Sequence, residues 1–481
     1  MTTAPSATTS PAPAQPGASQ NPQRAGQRRA LFFWHAWSAL MVAPVLLVLL
    51  LTGSLYLFDR EFDEAWQAKA YAVEQSAQPA ATLQQQQDFL RQQYPEARLN
   101  KVLLPRQASQ AVRWQLETAE GSRLVYLDPY QLKVNAIEDP ASAPMALVRR
   151  LHGELLAGPV GGYLIEWMSC WTLFLLLTGA WIWWPKQWRL AGVFWPRRRA
   201  DGSVHWRDWH AIPALLASLM LAFLVLTGLP WSIFWGQQFA SISHDLSHQA
   251  GPAWHWIAPS PNFHLPDTVT AVDPHAEHRA AAGSEVPVTG AAEPWSAQHQ
   301  HVPQGSTAVQ GLADIQRLAP ALALLPLDSF GPGVRVFYPA DAKAPFKISY
   351  VPDKAEGQRT IYVDANTGAV LDDIGWQRYS LAAKIVEWGV MTHLGRQYGV
   401  LNQLLNLLFC LVAIGAIAAG LRLWWLRRQP GRWLPPRQHT DRLPRALQLC
   451  LLMLALLFPL LWLALGLYAL LWWRPKHVAA P

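Results

Sequence analysis

Residues 34–53 read WHAWSALMVAPVLLVLLLTG, and residues 209–228 read WHAIPALLASLMLAFLVLTG. Both stretches begin with Trp-His, continue as an apolar run and end with Leu-Thr-Gly. A helix of about 20 apolar residues crosses the roughly 30 Å hydrocarbon core of a bilayer. The two stretches therefore predict two equivalent membrane spans, and their similarity predicts an internal repeat.

Two further histidines extend this repeat. His152 precedes Gly179 by 27 residues, and His393 precedes Gly420 by the same number. A pair of tryptophans follows shortly after each of these glycines. The predicted unit is a histidine, a span, a soluble module, a second histidine and a second span, and membrane proteins built from such repeats often place function at the repeat interface.

Composition agrees with a polytopic protein that also has sizeable soluble parts. The 481 residues are 51% hydrophobic, yet the mean hydropathy is only just above zero, so apolar segments must alternate with polar ones. Many of the 26 tryptophans lie at segment ends, where indole prefers the membrane interface. The predicted spans are residues 36–58, 162–184, 211–235, 401–426 and 446–473.

Lysine and arginine set the expected orientation, because positive loops near spans stay in the cytoplasm. They concentrate before the first span, between the second and third, and between the fourth and fifth. We therefore expect a bacterial inner-membrane protein with a cytoplasmic N-terminus. The net charge of +7 is then a topology signal, and no basic soluble domain indicates a nucleic-acid partner. Arg474, Lys476 and His477 leave the orientation of the fifth span open.

The two large loops then lie in the periplasm. Each has a predicted helix, over 81–94 and 306–319, followed by strand-like runs with turn residues after them, which indicates antiparallel hairpins. The first set of strands covers 101–104, 112–118 and 123–128, and the second covers 334–338, 346–351 and 360–364. Both loops are predicted to be small α+β domains.

A stretch rich in Ala, Pro and His, residues 241–304, separates the third span from the second module. This composition favours a flexible linker or lid, and histidine tracts also capture metal loosely. Its histidines are His244, His248, His255, His264, His275, His278, His299 and His301.

The chain divides into eleven predicted segments. They are a disordered cytoplasmic tail (1–30), the first span (31–58), a periplasmic module (59–150), a histidine-bearing helix with the second span (151–184), a cytoplasmic loop (185–208), the third span (209–235), a His/Pro-rich periplasmic insertion (236–304), a second module (305–392), a histidine-bearing helix with the fourth span (393–427), a cytoplasmic loop (428–445) and the fifth span (446–473).

This topology assigns a membrane side to each histidine. His35 and His210 open spans that leave the cytoplasm, whereas His152 and His393 precede spans that return from the periplasm. A single interfacial histidine is more often a helix-end hydrogen-bonding group than a ligand. Four at repeat-equivalent positions, two on each side, match the two axial ligands of a six-coordinate haem in an apolar cleft. We therefore predict two haems with these four ligands, one near each membrane face.

Other repeated residues have simpler interpretations. The Thr-Gly pairs are expected to permit close helix packing, and a porphyrin face also needs small residues. Trp34 and Trp209 are expected to be interfacial anchors. The three cysteines, Cys170, Cys410 and Cys450, lie in predicted spans, so no disulfide framework or Cys-ligated cluster is predicted.

These landmarks resemble the PepSY-associated transmembrane family, and specifically iron-regulated inner-membrane proteins that include siderophore reductases. The resemblance covers about residues 30–430, and the strands that end in Tyr126-Leu127-Asp128 and Tyr362-Val363-Asp364 look like the closing strands of PepSY modules. The other matching residues are Trp34-His35 with Leu51-Thr52-Gly53, Leu151-His152-Gly153, Asp208-Trp209-His210 with Leu226-Thr227-Gly228-Leu229-Pro230-Trp231, and His393-Leu394-Gly395-Arg396-Gln397-Tyr398-Gly399.

The resemblance implies an α-helical membrane bundle of four core spans with two periplasmic α+β PepSY modules. It also implies b-type haem, with His35, His152, His210 and His393 as ligands, and reduction of ferric siderophores. The chain departs from the family in its fifth span, its proline-rich N-terminal tail and its histidine-rich insertion.

The resulting hypothesis is a haem-containing ferric reductase, an oxidoreductase of the membrane. Electrons pass from a cytoplasmic reductase or quinol through the His35/His210 haem to the His152/His393 haem and on to a periplasmic ferric siderophore or another Fe(III) chelate. No Gly-rich dinucleotide fingerprint follows a strand, so a separate protein must bind NAD(P)H or flavin. The sequence identifies no catalytic residue.

Two alternatives come from different classes. In a non-enzymatic scaffold, the PepSY modules bind a periplasmic peptide or protease and the histidines are structural. Metal transport needs facing acidic residues at mid-membrane. Glu166 is the only carboxylate within a predicted span, which disfavours transport.

Overall fold

The structure is a computed structural model. It describes residues 22–74, 79–185, 188, 190–198, 200, 204–249, 256–258, 302–305, 314–325, 333–341, 343–431, 433, 443–457 and 466. The helices are α1 (Pro22–Tyr56), α2 (Asp59–Trp66), α3 (Ala68–Tyr71), α4 (Leu83–Gln93), α5 (Pro144–Glu154), α6 (Gly158–Trp183), α7 (Trp206–Gly228), α8 (Ile233–Gln249), α9 (Ala319–Leu322), α10 (Leu381–His393), α11 (Gly399–Arg427) and α12 (Arg445–Leu457). The strands are β1 (Arg98–Leu103), β2 (Val112–Thr118), β3 (Gly121–Asp128), β4 (Lys133–Glu138), β5 (Val334–Phe337), β6 (Phe346–Tyr350), β7 (Arg359–Val363) and β8 (Val370–Gly375).

Among the described residues, four helices are long and apolar enough to cross a membrane, namely α1, α6, α7 and α11. Large apolar side chains on them face outwards, and Leu219 is 82% exposed. A helix that is apolar on all sides suits a lipid environment. The chain is therefore a multi-pass membrane protein, and the first four predicted spans are confirmed as helices. Of the predicted fifth span, α12 forms a short apolar helix, and most of the remainder lies outside the described residues.

The first membrane helix begins earlier than predicted. Its first residue is Pro22, a residue favoured in the first turn, and the Gln, Arg and Ala residues that follow are good helix formers. His35 therefore lies inside a helix, not at its beginning. At the other side of the bundle, α8 continues to Gln249, so the predicted linker does not begin at residue 241. Residues 259–301, which hold most of its histidines, lie outside the described residues.

In the bundle, α1 packs along α6, α7 packs along α11, and α1 also contacts α11. An aromatic cluster fills the space between α1 and α6. The rings of Trp34 and Trp171 stack with centroids 6.4 Å apart, and Trp37 meets Trp171 edge-on at 5.0 Å. Trp34 is only 6% exposed, so its predicted role as an interfacial anchor is wrong: it packs inside the bundle because Trp171 offers it an apolar partner. Trp209 is 53% exposed, as an anchor requires.

The soluble region forms one eight-stranded antiparallel sheet in the order β4-β3-β2-β1-β5-β6-β7-β8. The two predicted domains are thus joined: β1 pairs with β5, with Val102 opposite Val336. This pairing covers the edge that each four-stranded half would otherwise expose. The outer strands β4 and β8 were not predicted, because their residues are mostly half-exposed and lack a clear apolar alternation.

The two halves of the sheet share details beyond strand order. Asp128 Oδ1 accepts the backbone N–H of Tyr130 at 2.7 Å, and Asp364 Oδ1 accepts that of Asn366 at 2.8 Å. Such turns are typical of aspartate, whose side chain mimics a backbone acceptor. Each outer strand pair also has a register shift at the equivalent place, after Tyr126 in one half and after Tyr362 in the other.

Different elements cover the two faces of the sheet. On one face, α4 and the short helical segment around Ile315 cover a core that contains Trp114 and Phe346. Thr82 and Gln85 form a capping box that starts α4, which confirms the first predicted module helix. Residues 306–313 of the second predicted helix lie outside the described residues. The other face carries α3 and the apolar group around Tyr126.

Candidate functional site

The four histidines form two pairs at opposite ends of the bundle. His35 of α1 and His210 of α7 have ring centroids 6.2 Å apart, with ring planes at 61°. His152 near the end of α5 and His393 at the end of α10 line one cavity of 460 Å³. The structure therefore brings together the residues that the sequence pattern paired.

Each imidazole lies against a glycine of another helix in the same half of the chain. A Cβ atom added at Gly53 would lie 3.2 Å from Cε1 of His152, and one at Gly179 would lie 3.2 Å from Cε1 of His35. Helix α1 takes part in both contacts, because it carries both His35 and Gly53. The second half repeats them: an added Cβ would lie 3.8 Å from Cε1 of His393 at Gly228 and 2.8 Å from Nδ1 of His210 at Gly420.

Three threonines, each directly before one of these glycines, bind the histidine Nδ1 atoms. The Nδ1–Oγ1 distances are 2.9 Å for His152 with Thr52, 2.9 Å for His393 with Thr227, and 3.1 Å for His35 with Thr178. The fourth position is Ala419, and there Nδ1 of His210 lies 2.8 Å from the backbone oxygen of Ala416.

These hydrogen bonds fix the tautomer of each ring. The hydroxyl of Thr52 donates its proton to the backbone oxygen of Val48 at 2.6 Å, and that of Thr227 donates to Phe223 at 2.8 Å. Each threonine oxygen is then the acceptor, so the imidazole Nδ1 must be the donor. The backbone carbonyl of Ala416 can only accept a hydrogen bond, so Nδ1 of His210 is also the donor. In all four histidines, Nδ1 carries the proton and Nε2 keeps its lone pair for a ligand.

The rings are also held neutral. Burial lowers the pKa of His152 to about 4. Burial, with a smaller contribution from the nearby His152, lowers the pKa of His393 to about 4. A histidine must be neutral to bind a metal, so both rings are ready to bind one at neutral pH.

The cavity between His152 and His393 has a mostly apolar lining that also includes several charged side chains. Its volume falls within the range of about 300–1,000 Å³ typical of small-molecule and cofactor sites. Its charged lining residues include Arg149, Arg150 and Glu166. The carboxylate of Glu166 accepts the backbone N–H groups of Phe234 at 3.0 Å and Trp235 at 2.7 Å, which caps the first turn of α8. The apolar lining includes Leu46, Leu50, Leu221, Leu224 and Val225.

The donor set at each end of the bundle is a pair of imidazoles. Within the described ranges, no group of three or more His, Cys, Asp or Glu side chains converges as metal ligands would. Haem iron has four ligands from its own porphyrin and can take an imidazole as an axial ligand, so a pair of histidines could complete its coordination. His35 and His210 would hold one such group between them, since their ring centroids are 6.2 Å apart.

The role of the Thr-Gly pairs was missed at the level of sequence. Helix packing was the expected role, but the glycines make room for imidazoles and the threonines bind them. A signal was present in the sequence, because Thr178-Gly179 repeats near the end of the second span the dipeptide that Thr52-Gly53 and Thr227-Gly228 form near the ends of the first and third. What the sequence did not show is which helix each pair faces.

Helices that can span a membrane, a pair of half-buried histidines at each end of the bundle and an adjoining antiparallel sheet define an integral membrane protein. The chain belongs to the family described as the PepSY-associated TM region, whose model matches residues 32–427. The match includes all four spans, both halves of the sheet and the four histidines. A comparison with curated proteins gives no match.

Proposed function

We propose that this protein carries electrons across a bacterial inner membrane through two haems b and delivers them to a periplasmic ferric siderophore or another Fe(III) chelate. His35 and His210 would hold one haem, and His152 and His393 the other. The observation that carries the proposal is that four half-buried imidazoles have Nδ1 occupied by a hydrogen bond and Nε2 available, in two pairs at opposite ends of one bundle.

The protein residues perform three tasks in this proposal. The threonines and the Ala416 carbonyl orient the imidazoles, and hydrogen bonds of this kind raise the basicity of a metal-ligating ring. The glycines provide the space into which the rings fit. The apolar side chains exclude water. When bound, haem iron between two imidazoles supplies reversible one-electron transfer.

Two haems, one near each membrane face, would shorten each electron-transfer step across the bilayer. The hydrocarbon core is about 30 Å thick, and protein between two surfaces at that distance conducts electrons poorly. The positively charged loops between α6 and α7 and after α11 favour a cytoplasmic position for the His35/His210 end. The sheet and the His152/His393 end then face the periplasm, and electrons enter from a cytoplasmic reductase or a quinol.

The sheet belongs to the same proposal. We infer that its two halves are PepSY modules that arose with the membrane helices by internal duplication. The shared strand order, the equivalent aspartate turns and the equivalent register shifts support this inference. The acceptor follows from the resemblance to siderophore reductases. Addition of one electron converts Fe(III) to Fe(II), which binds hard oxygen ligands less tightly and is released.

An absorption spectrum of the purified full-length protein tests the proposal. We expect a Soret band and sharp α and β bands on reduction, with two haems per chain by the pyridine haemochrome assay. His205, which precedes α7 and belongs to neither pair, offers a control, and His205→Ala should retain both haems. A colourless protein from cells supplied with haem would contradict electron transfer and would favour the scaffold alternative. Anaerobic mixing of the reduced protein with ferric siderophores then identifies the acceptor.

A further inference from the structure

A second, smaller cavity lies beside the seam of the sheet. It measures 40 Å³, and β1, β5, α2, α3 and the loop after β1 contribute to its walls. About 10–15 Å³ is enough for one water, so the cavity has room for a small polar group. Its charged lining residues are Arg60, Asp63, Glu64, Arg106, Arg113 and Arg335.

Two of these arginines are held at nearly buried positions by the sheet itself. Arg113 on β2 and Arg335 on β5 both pair with Leu103 on β1, from opposite sides. Directly paired residues lie on the same face of a sheet, so both arginines project from the face that Leu103 occupies. Each is 8% exposed. Nη1 of Arg113 donates to the hydroxyl of Tyr71 at 2.7 Å, which fixes its position.

Positive charge exceeds negative charge around this cavity. Arg60 is paired with Asp353. Burial, followed by the nearby Asp59, raises the pKa of Asp63 to about 7, so this carboxyl is only partly ionised near neutral pH. Within the part of the chain that the structure describes, the guanidinium of Arg106 has no hydrogen-bond or ion-pair partner. Buried charges of one sign are costly unless a counter-charge accompanies them.

The cavity also adjoins the His152/His393 site. Val351 lines both this cavity and the 460 Å³ cavity. None of the residues that line the smaller cavity belongs to the four membrane-spanning helices. An occupant would therefore enter from the side of the sheet and would lie one side chain away from the histidine cavity.

We call the 40 Å³ cavity the arginine cavity, because Arg60, Arg106, Arg113 and Arg335 line it. We propose that it binds a carboxylate group of an anionic Fe(III) chelate and so holds the chelate beside His152 and His393. Guanidinium groups bind carboxylates through paired, charge-assisted hydrogen bonds, which suits an oxyanion at a site with several arginines. The role as an acceptor site rests on the proposed electron transfer, whereas carboxylate binding itself does not. A lipid phosphate has related chemistry, but the lining residues come from the sheet, its loops and α2–α3 and not from the membrane-spanning helices.

Isothermal titration calorimetry on the full-length protein in phosphatidylcholine nanodiscs tests the site. The probes are citrate and Ga(III)–citrate, because Ga(III) does not accept electrons and binding is then measured without reduction. We expect the wild type to bind both and Arg106→Gln to bind about tenfold more weakly, from the loss of charge-assisted hydrogen bonds. Arg123→Gln is the matched control, because Arg123 lies on β3 in a surface pair with Glu120, and it should bind as the wild type does.

Equal affinity of Arg106→Gln and the wild type, or no citrate binding at all, would overturn the proposal. A thermal stabilisation by phosphatidylglycerol that is lost in Arg106→Gln, without citrate binding, would assign the cavity to a lipid phosphate and would also overturn it. Haem content is measured on the same samples. A colourless protein that binds citrate through Arg106 would contradict electron transfer alone, and a haem-loaded protein that ignores citrate would contradict the arginine site alone.

Discussion

The two histidine pairs have similar supports but different settings. His35 and His210 both lie within membrane-spanning helices, with ring centroids 6.2 Å apart. His152 and His393 lie on short helices that precede the spans, and they line a cavity of 460 Å³ whose lining includes charged side chains. A ligand on a spanning helix is fixed by the packing of the bundle, whereas one on a separate short helix leaves room beside it. The difference suggests a closed site at one end and a more accessible one at the other.

Removal of one ligand from each pair should have the largest effect. We expect His210→Ala and His393→Ala each to lose about half of the haem, because an axial ligand supplies much of the affinity of a b-type site. The double variant should lose nearly all of it. The measurement is haem per protein by pyridine haemochrome. If either single variant is colourless, the two sites are not independent.

Chemical rescue separates the two ends next. Exogenous imidazole should restore haem to His393→Ala, because the cavity beside that side chain can admit a small ring. The same treatment should fail with His210→Ala, whose site lies within the packed helices. Titration of the Soret band with imidazole measures both. Rescue of both variants to the same degree would show that the ends are equally accessible.

Substitution of the glycines should reduce haem occupancy by an intermediate amount, and by more at Gly420 than at Gly228. In Gly420→Ala the new Cβ would lie 2.8 Å from Nδ1 of His210, so the ring must move and we expect lower haem occupancy. In Gly228→Ala the nearest histidine atom is 3.8 Å away, an ordinary contact, and occupancy should be nearly unchanged. Equal haem content in the two variants, determined at equal protein folding by circular dichroism, would contradict this reading of the close approach.

Loss of a threonine hydroxyl should have the smallest effect. Thr227→Val removes the acceptor for His393 and should raise the reduction potential of that site by about 40 mV, if the hydrogen bond is worth about 1 kcal/mol. The sign follows because a hydrogen-bonded imidazole is the more basic ligand and favours the ferric state. Potentiometric titration gives the value. Thr392→Val, whose hydroxyl donates to the backbone of its own helix, is the matched control and should leave the potential unchanged.

Hydropathy predicted the membrane helices well, because a bilayer imposes a length and a composition on any span. The observed ranges of α6 and α11 differ from the predicted ones by a few residues at most. The start of α1 was missed because its polar first turns carry no apolar signal. The burial of Trp34 was missed because tryptophan composition alone does not distinguish the membrane interface from a partner such as Trp171.

The pairing of strands that are distant in the chain could not be predicted from the sequence. Val102 and Val336 are separated by more than 200 residues, and nothing in either run indicates that β1 chooses β5 as its neighbour. The histidine pairs, by contrast, were predictable, because repeat position and topology both group them by side. Their glycine and threonine partners needed the helix packing, since the spacing of Thr52 and His152 does not reveal which helices touch.

The seam between β1 and β5 has a consequence for how such a chain could have originated. An antiparallel contact between corresponding strands is self-complementary, as in a twofold-symmetric dimer. Two copies of the first half could make the same junction, with Val102 opposite the Val102 of a second copy where Val336 now stands. If the halves arose by the proposed duplication, joining them in one chain would keep this strand contact and would let the two sequences diverge. Thr178 binds one imidazole of the His35/His210 pair, whereas a backbone carbonyl binds the other.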